Sequence, residues 1–257
     1  MSLADYQKAI ERLLTWVQRS PLWVERWSAV TFRHIGGVPE ILLISEDRYL
    51  ALLSVLGSEL MATTESVIVE DFFTHQFAPK GDTVIDAYLD KAGAKENAVT
   101  RPFLLALRNS DMRFYEIQGA EAGKHWLIRE KKEGAEPFPA IDPQADAGIE
   151  PGSHMGARML TLDGQRVLAD GVYFYPPEDT DDIVAMLKAE QPTQGVLRTF
   201  AKTQGVTVDE TNRERLTQRL MPTVFTQAWL LPILEDALAD EELTEALDAA
   251  LKEIGIE

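Results

Sequence analysis

Asp71 and His75 stand four residues apart within an apolar run over about residues 59–77. On a helix that spacing puts both side chains on one face, where a carboxylate and an imidazole can share a proton or begin a metal site. It is also the spacing of an ordinary helix-surface hydrogen bond. A metal needs at least a third ligand, and no HExxH-like pattern supplies one. The second candidate is "PGSHMGARMLTLDGQRVLADGVYFYP", residues 151–176, which holds His154, Arg158 and four glycines. A phosphate-cradling loop leads from a strand into a helix N-terminus. Here Gly152 and Gly156 lead into a strand and a hairpin, so the stretch reads mainly as a turn. The candidate binding set is His154, Arg158, Trp126 and His125, the last two from "KHWLIRE". No GxSxG, GxxxxGKS or GxGxxG pattern appears, and the absence of cysteine excludes disulfides, thiolate zinc sites and thiol catalysis. No catalytic residue and no cofactor is assigned, and Asp71 with His75 is kept as the metal alternative.

The elements that must position these residues fall into three regions. Leu3, Tyr6, Ile10, Leu13, Leu14 and Val17 recur at helical spacing, so residues 3–19 read as an amphipathic helix. Ser20-Pro21 starts a second helix to about His34, ending at Gly36-Gly37. Ser45 caps a helix through Leu56, and Thr83 and Thr100 sit at cap positions before "VIDAYLDKAG" and "RPFLLALRN". Trp16, Trp23, Trp27 and Phe32 read as core and helix-packing residues. Near Met112 the period changes to two. "MRFYEIQG", "KHWLIRE", "EPFPAI", "HMGARMLTL" and "QRVLADGVYFYP" read as five short strands. Asp163-Gly164 is a hairpin signal, and Gly156 marks a bulge or a barrel corner. Beyond Pro176-Pro177 helical patterns return in "DDIVAMLKAEQ", from Asp209 to about Leu220, and in "DEELTEALDAALKEI". The expected fold is α+β: helical regions 1–111 and 177–257 flank a small antiparallel β-barrel-like or bent-sheet unit, 112–176, in one compact assembly.

The phrases "VIDAYL", "FLLALRNSDMRFYEIQGAEAGKHWLIRE" and "EPGSHMGARMLTLDGQRVLADGVYFYP" lie within about Val69 to Pro176. This stretch resembles a segment of uncharacterised bacterial proteins that often carry a SEC-C motif. In such proteins a helix ending in an "ALR-S" phrase feeds a strand, and a "PG---GAR-L--DG-" phrase precedes the final strands. The resemblance implies a fold. The SEC-C element itself is a cysteine-rich zinc tail, which a chain without cysteine does not have.

Charge narrows the functional classes. The net charge is -17, and residues 177–257 hold 7 of the 25 basic and 17 of the 42 acidic side chains. Such a surface repels phosphate backbones, which disfavours direct nucleic-acid binding. The one dense basic cluster, Arg129-Glu130-Lys131-Lys132, is short. No run approaches the roughly 18 apolar residues of a spanning helix. The N-terminus "MSLADYQKAIERLL" lacks the basic start and apolar block of a signal peptide. These features lead to the expectation of a cytoplasmic, bacterial-type protein with no membrane partner. The expected function is a non-catalytic binding or adaptor module for a protein or small-molecule partner. The alternative is a hydrolase or metal-dependent enzyme using Asp71/His75 or His125/His154. The sequence sets no oligomeric state.

Overall fold

Capping residues set where several helices begin. A computed structural model of the chain describes residues 3–93, 96–177 and 194–253. Its first seven helices are α1 (Leu3–Gln18), α2 (Pro21–Ile35), α3 (Val38–Ile41), α4 (Glu46–Leu56), α5 (Ser58–Thr74), α6 (Val84–Lys91) and α7 (Thr100–Arg108). Ser45 Oγ accepts the Arg48 amide at 3.2 Å and starts α4. Thr83 and Asp86 form a reciprocal capping box on α6. On α7 the expectation is corrected: Thr100 is the first helical residue, and Asn97 Oδ1 accepts the amides of Val99 and Thr100 at 2.9 and 2.8 Å. The Thr100 hydroxyl instead accepts from Arg12 at 3.0 Å.

Six strands follow: β1 (Met112–Glu121), β2 (His125–Glu130), β3 (Phe138–Ile141), β4 (His154–Leu162), β5 (Gln165–Leu168) and β6 (Tyr173–Tyr175). They run in the order β1-β2-β3-β5-β4, and β4 pairs back to β1, which closes a five-stranded barrel with β6 added on β4. Closure leaves fewer edges open to aggregation. Two details differ from a five-strand antiparallel reading. "QRVLADGVYFYP" breaks at residues 169–172 into two strands, and the β3–β5 pair, Ile141 with Val167, is parallel. The barrel interior is filled by Tyr115, Ile117, Trp126, Ile128, Ala140, Met155 and Ala157.

Asp163 and Gly164 form a two-residue hairpin turn, with φ of 50° and 78° and Leu162 paired to Gln165. Both residues having positive φ matches the twist of the flanking strands. Gly156 is neither a bulge nor a corner. It pairs in regular register with Phe114 and Tyr173, and a methyl there would meet the Phe225 ring at 3.2 Å. Close approach of a helix is what requires glycine. The bulge lies in β1, between Ile117 and Gly119.

Three helices complete the described chain: α8 (Gln194–Thr203), α9 (Arg213–Ala239) and α10 (Glu241–Glu253). The segment "DDIVAMLKAEQ" lies outside the described residues. Asp209 starts a turn, with Oδ1 accepting the amides of Thr211 and Asn212, and the long helix begins at Arg213. It continues through Pro222, which is buried, and Pro232, which is exposed, and its packing face buries Phe225, Thr226, Leu230 and Leu234. Val67, Met112, Tyr173, Tyr175 and Phe225 pack as one cluster, which joins α5, the barrel and α9. A second seam sets Tyr49 and Leu52 of α4 against Leu234 of α9 and Leu247 of α10. Trp23 is buried and Trp16 and Trp27 pack beside it, but Phe32 is 70 % exposed and no core residue. Trp23, Trp27, Val30 and His34 make the inner face of α2, and Phe32 falls outside that stripe. Among the described residues no single helix is long and apolar enough to cross a membrane.

Candidate functional site

The interior holds a polar hub built where α2, α5, β4 and α9 meet. Asp71 on α5 accepts from Arg33 at 2.5 Å, from His34 Nε2 at 3.0 Å and from Arg158 Nη2 at 3.4 Å. Burial alone would push its carboxyl up, but Arg33, the His34 bond and Arg158 outweigh burial and hold it well below the carboxylate range. Burial also pushes the His34 pKa down, against the pull of Asp71. His34 Nδ1 lies 2.7 Å from Thr226 Oγ1, and the Thr226 hydroxyl donates to the Pro222 carbonyl at 2.9 Å. Tyr173 OH in turn donates to Thr226 at 3.1 Å.

Hydroxyl, imidazole and carboxylate thus stand in the order of a hydrolytic triad. Both Thr226 and His34 are 0 % exposed, so no substrate carbonyl can approach the hydroxyl. The chain is a structural clasp between α2, α5 and α9. Neighbouring Glu70 makes a second clasp: its Oε1 accepts from Tyr6 OH at 2.5 Å and from the amides of Asp170 and Gly171 at 3.0 and 2.9 Å. Arg158 donates to the Ser110 carbonyl at 2.9 Å and pairs with Glu70 at 3.8 Å as well as with Asp71. It ties the barrel to α5 and α7.

The other sequence candidates are dispersed. His75 receives the Gln204 amide and lies against the rings of Phe77 and Phe200; burial pushes its pKa down to about 3. Asp71 and His75 line the same small polar pocket of about 30 Å³ and are joined by a backbone bond of 2.8 Å, but among the described residues their side chains share no hydrogen-bond partner. His154 is buried and stacks on Phe114 at 5.0 Å. His125 lies at the start of β2, 3.7 Å from Glu121. Among the described residues no group of three or more His, Asp or Glu converges in a way that could hold a metal ion. Trp126 reaches the edge of a sizeable concavity. Its ring fills the barrel, and its Nε1–H donates at 2.8 Å to Asp142 Oδ2, on the wall of a groove.

That groove, about 670 Å³, runs between the helical layer and the barrel. Tyr6 and Gln7 of α1 with Glu59, Ala62, Thr63 and Ser66 of α5 form one wall. The opposite wall is the β3 end (Ile141–Gln144), the β4–β5 hairpin and the β5–β6 connection, with Phe174 of β6 and Trp229 of α9. Its volume falls within the usual range for small-molecule pockets, roughly 300–1,000 Å³. A more open depression of about 820 Å³ is made by the end of α8 and the loop after it, from Arg198 to Asn212. Sequence reasoning missed Asp142, Asp170, Phe174 and Trp229, and also His34 and Thr226. The Asp170-Gly171 interruption inside an apolar alternation was a loop signal that could have found the first wall. His34, four residues after Val30 on the α2 inner stripe, could have been placed inside the same way. Comparison with family models, curated proteins and solved structures returned no match for the chain.

Proposed function

We propose that the chain is a non-catalytic binding module of the bacterial cytoplasm and that its ligand site is the groove between α1/α5 and the barrel. The observation that carries this reading is the groove itself: a concavity of about 670 Å³ walled by Leu160, Leu168, Val172, Phe174 and Trp229, with polar groups at defined points. Apolar walls with a few convergent polar groups are the usual make-up of ligand sites. The Thr226–His34–Asp71 constellation, ordered as nucleophilic chemistry would need, is sealed, which supports binding over hydrolysis. The partner is accordingly a small molecule or a protein side chain inserted between the two layers, and the acidic surface keeps nucleic acid outside the proposal. The resemblance of residues 69–176 to SEC-C-bearing proteins is retained within this proposal as a likeness of the β unit and the helices that lead into it.

Fluorescence titration with Nile red, an uncharged dye that brightens in apolar surroundings, tests the reading. We expect saturable, one-site enhancement, lost in Ala62→Trp, which places an indole in the groove from an exposed position on α5. Enhancement unchanged in Ala62→Trp, or absent in the parent protein, would overturn it.

A further inference from the structure

The groove's charge is one-sided. Its lining includes four carboxylates, Glu59, Asp142, Asp163 and Asp170, and no Lys, Arg or His. None of the four forms an ion pair among the described residues. Asp142 is held rigidly, with Oδ2 accepting from Trp126 Nε1 and Oδ1 from the Gln144 amide, each at 2.8 Å. Trp126 therefore acts as a positioning residue. Partial burial, with Asp142 beside it, pushes the Asp170 carboxyl up. Asp170 is exposed at the mouth of the groove, and a carboxylate beside a second carboxylate, with no cation in the lining, lacks the counter-charge that would stabilise its ionised form. Low-dielectric walls of one sign focus the field and concentrate the opposite charge. Phe174 and Trp229 add aromatic surfaces that attract organic cations.

We infer that the occupant of the groove is a small organic cation, an ammonium or guanidinium group carried on an apolar body, with Asp170 and Asp142 as its counter-ions. This rests on the groove being the binding site. The apolar body lies along Leu168, Val172 and Phe174, and the cationic head meets the Asp142–Asp170 pair. The locked Asp142 rotamer lowers the ordering cost of binding.

Calorimetric titration with tryptamine and with uncharged 3-methylindole, at low salt and neutral pH, separates the two ideas. The parent protein should bind tryptamine at least about tenfold more tightly, and the ratio should fall towards one in Asp170→Asn, whose folding is checked by its thermal melt. The preference should also shrink in high salt. Equal binding of the two compounds, with 3-methylindole still displaced by Nile red, overturns the cation assignment and leaves the groove reading standing. No binding of either compound, or of Nile red, overturns both. Displacement of tryptamine by a lysine-rich peptide at far lower concentration would assign the groove to a protein partner and overturn the small-molecule inference.

Discussion

Asp71 and Glu70 are adjacent on α5; burial pushes both carboxyls up, but their net shifts have opposite signs. Asp71 is over-compensated by Arg33, His34 and Arg158, so its folded pKa lies below the unfolded value. Its contribution to stability is present above the unfolded carboxylate pKa of about 4 and is lost as pH falls towards the folded value. Burial dominates at Glu70, against Arg158, Tyr6 and the Gly171 amide, and its folded pKa is raised. Its contribution is fully present below the unfolded pKa and is lost as pH rises through the folded one. Asp71→Asn removes the carboxylate that Arg33 and Arg158 share, leaves Arg158 only its longer pair with Glu70, and should cost roughly 3–5 kcal/mol near neutrality. It should also flatten the loss of stability below about pH 4. Glu70→Gln keeps an oxygen for the three donors at Oε1, so it should cost far less at pH 8 and remove the decline seen as pH rises. Urea denaturation at a series of pH values reads both. Similar costs for the two variants, or no change in the acid limb for Asp71→Asn, would contradict the clasp. Both Asp71 and Arg158 stand out in the sequence as residue types for a site. Their meeting, across 87 positions, does not, because no local pattern records a contact made by the packing of α5 on a barrel strand.

Element boundaries were legible wherever a short-range bond fixes them. Ser45, Thr83 and Asp163-Gly164 act through partners at most three residues away, and all three signals correspond to observed caps or turns. Where distant packing decides, local signals fail. Pro222 sits inside α9 because its neighbours are buried, and Gly156 answers to Phe225 on another element. Gly164→Val forces a branched side chain to positive φ and should destabilise by roughly 1–2 kcal/mol. Read as a turn residue, His154 would matter less. Buried and stacked on Phe114, it leaves a cavity when removed, so His154→Ala should cost about 2–3 kcal/mol and outrank the turn variant. Thermal melts of the two variants decide the order. Leu43 closes α3 with φ of 55° and is 91 % exposed. Strain without burial gives nothing in return, so Leu43→Gly should stabilise by about 1 kcal/mol. A lower melting temperature would show that the leucine makes a contact worth more than the strain.

At the scale of the molecule, the change from a helical period to alternation near Met112 was enough to place a β unit between helical regions. The groove was not legible, because its walls come from α1, α5, the β3–β6 stretch and α9, and a concavity belongs to none of them singly. Its acidic residues read in the sequence as part of a dispersed negative surface. Only the fold sets Asp142 and Asp170 beside one another over apolar walls. The central claim, that this groove and not the polar hub is the site, is tested most directly by 1H–15N correlation spectra recorded during titration with indole. We predict saturable shifts at the amides of Asp142, Asp170, Val172 and Phe174 and at the Trp229 indole N–H, with the signals of Asp71, His75 and Arg158 unmoved. Shifts confined to Asp71, His75 and Arg158, or no saturable shift at all, would contradict it.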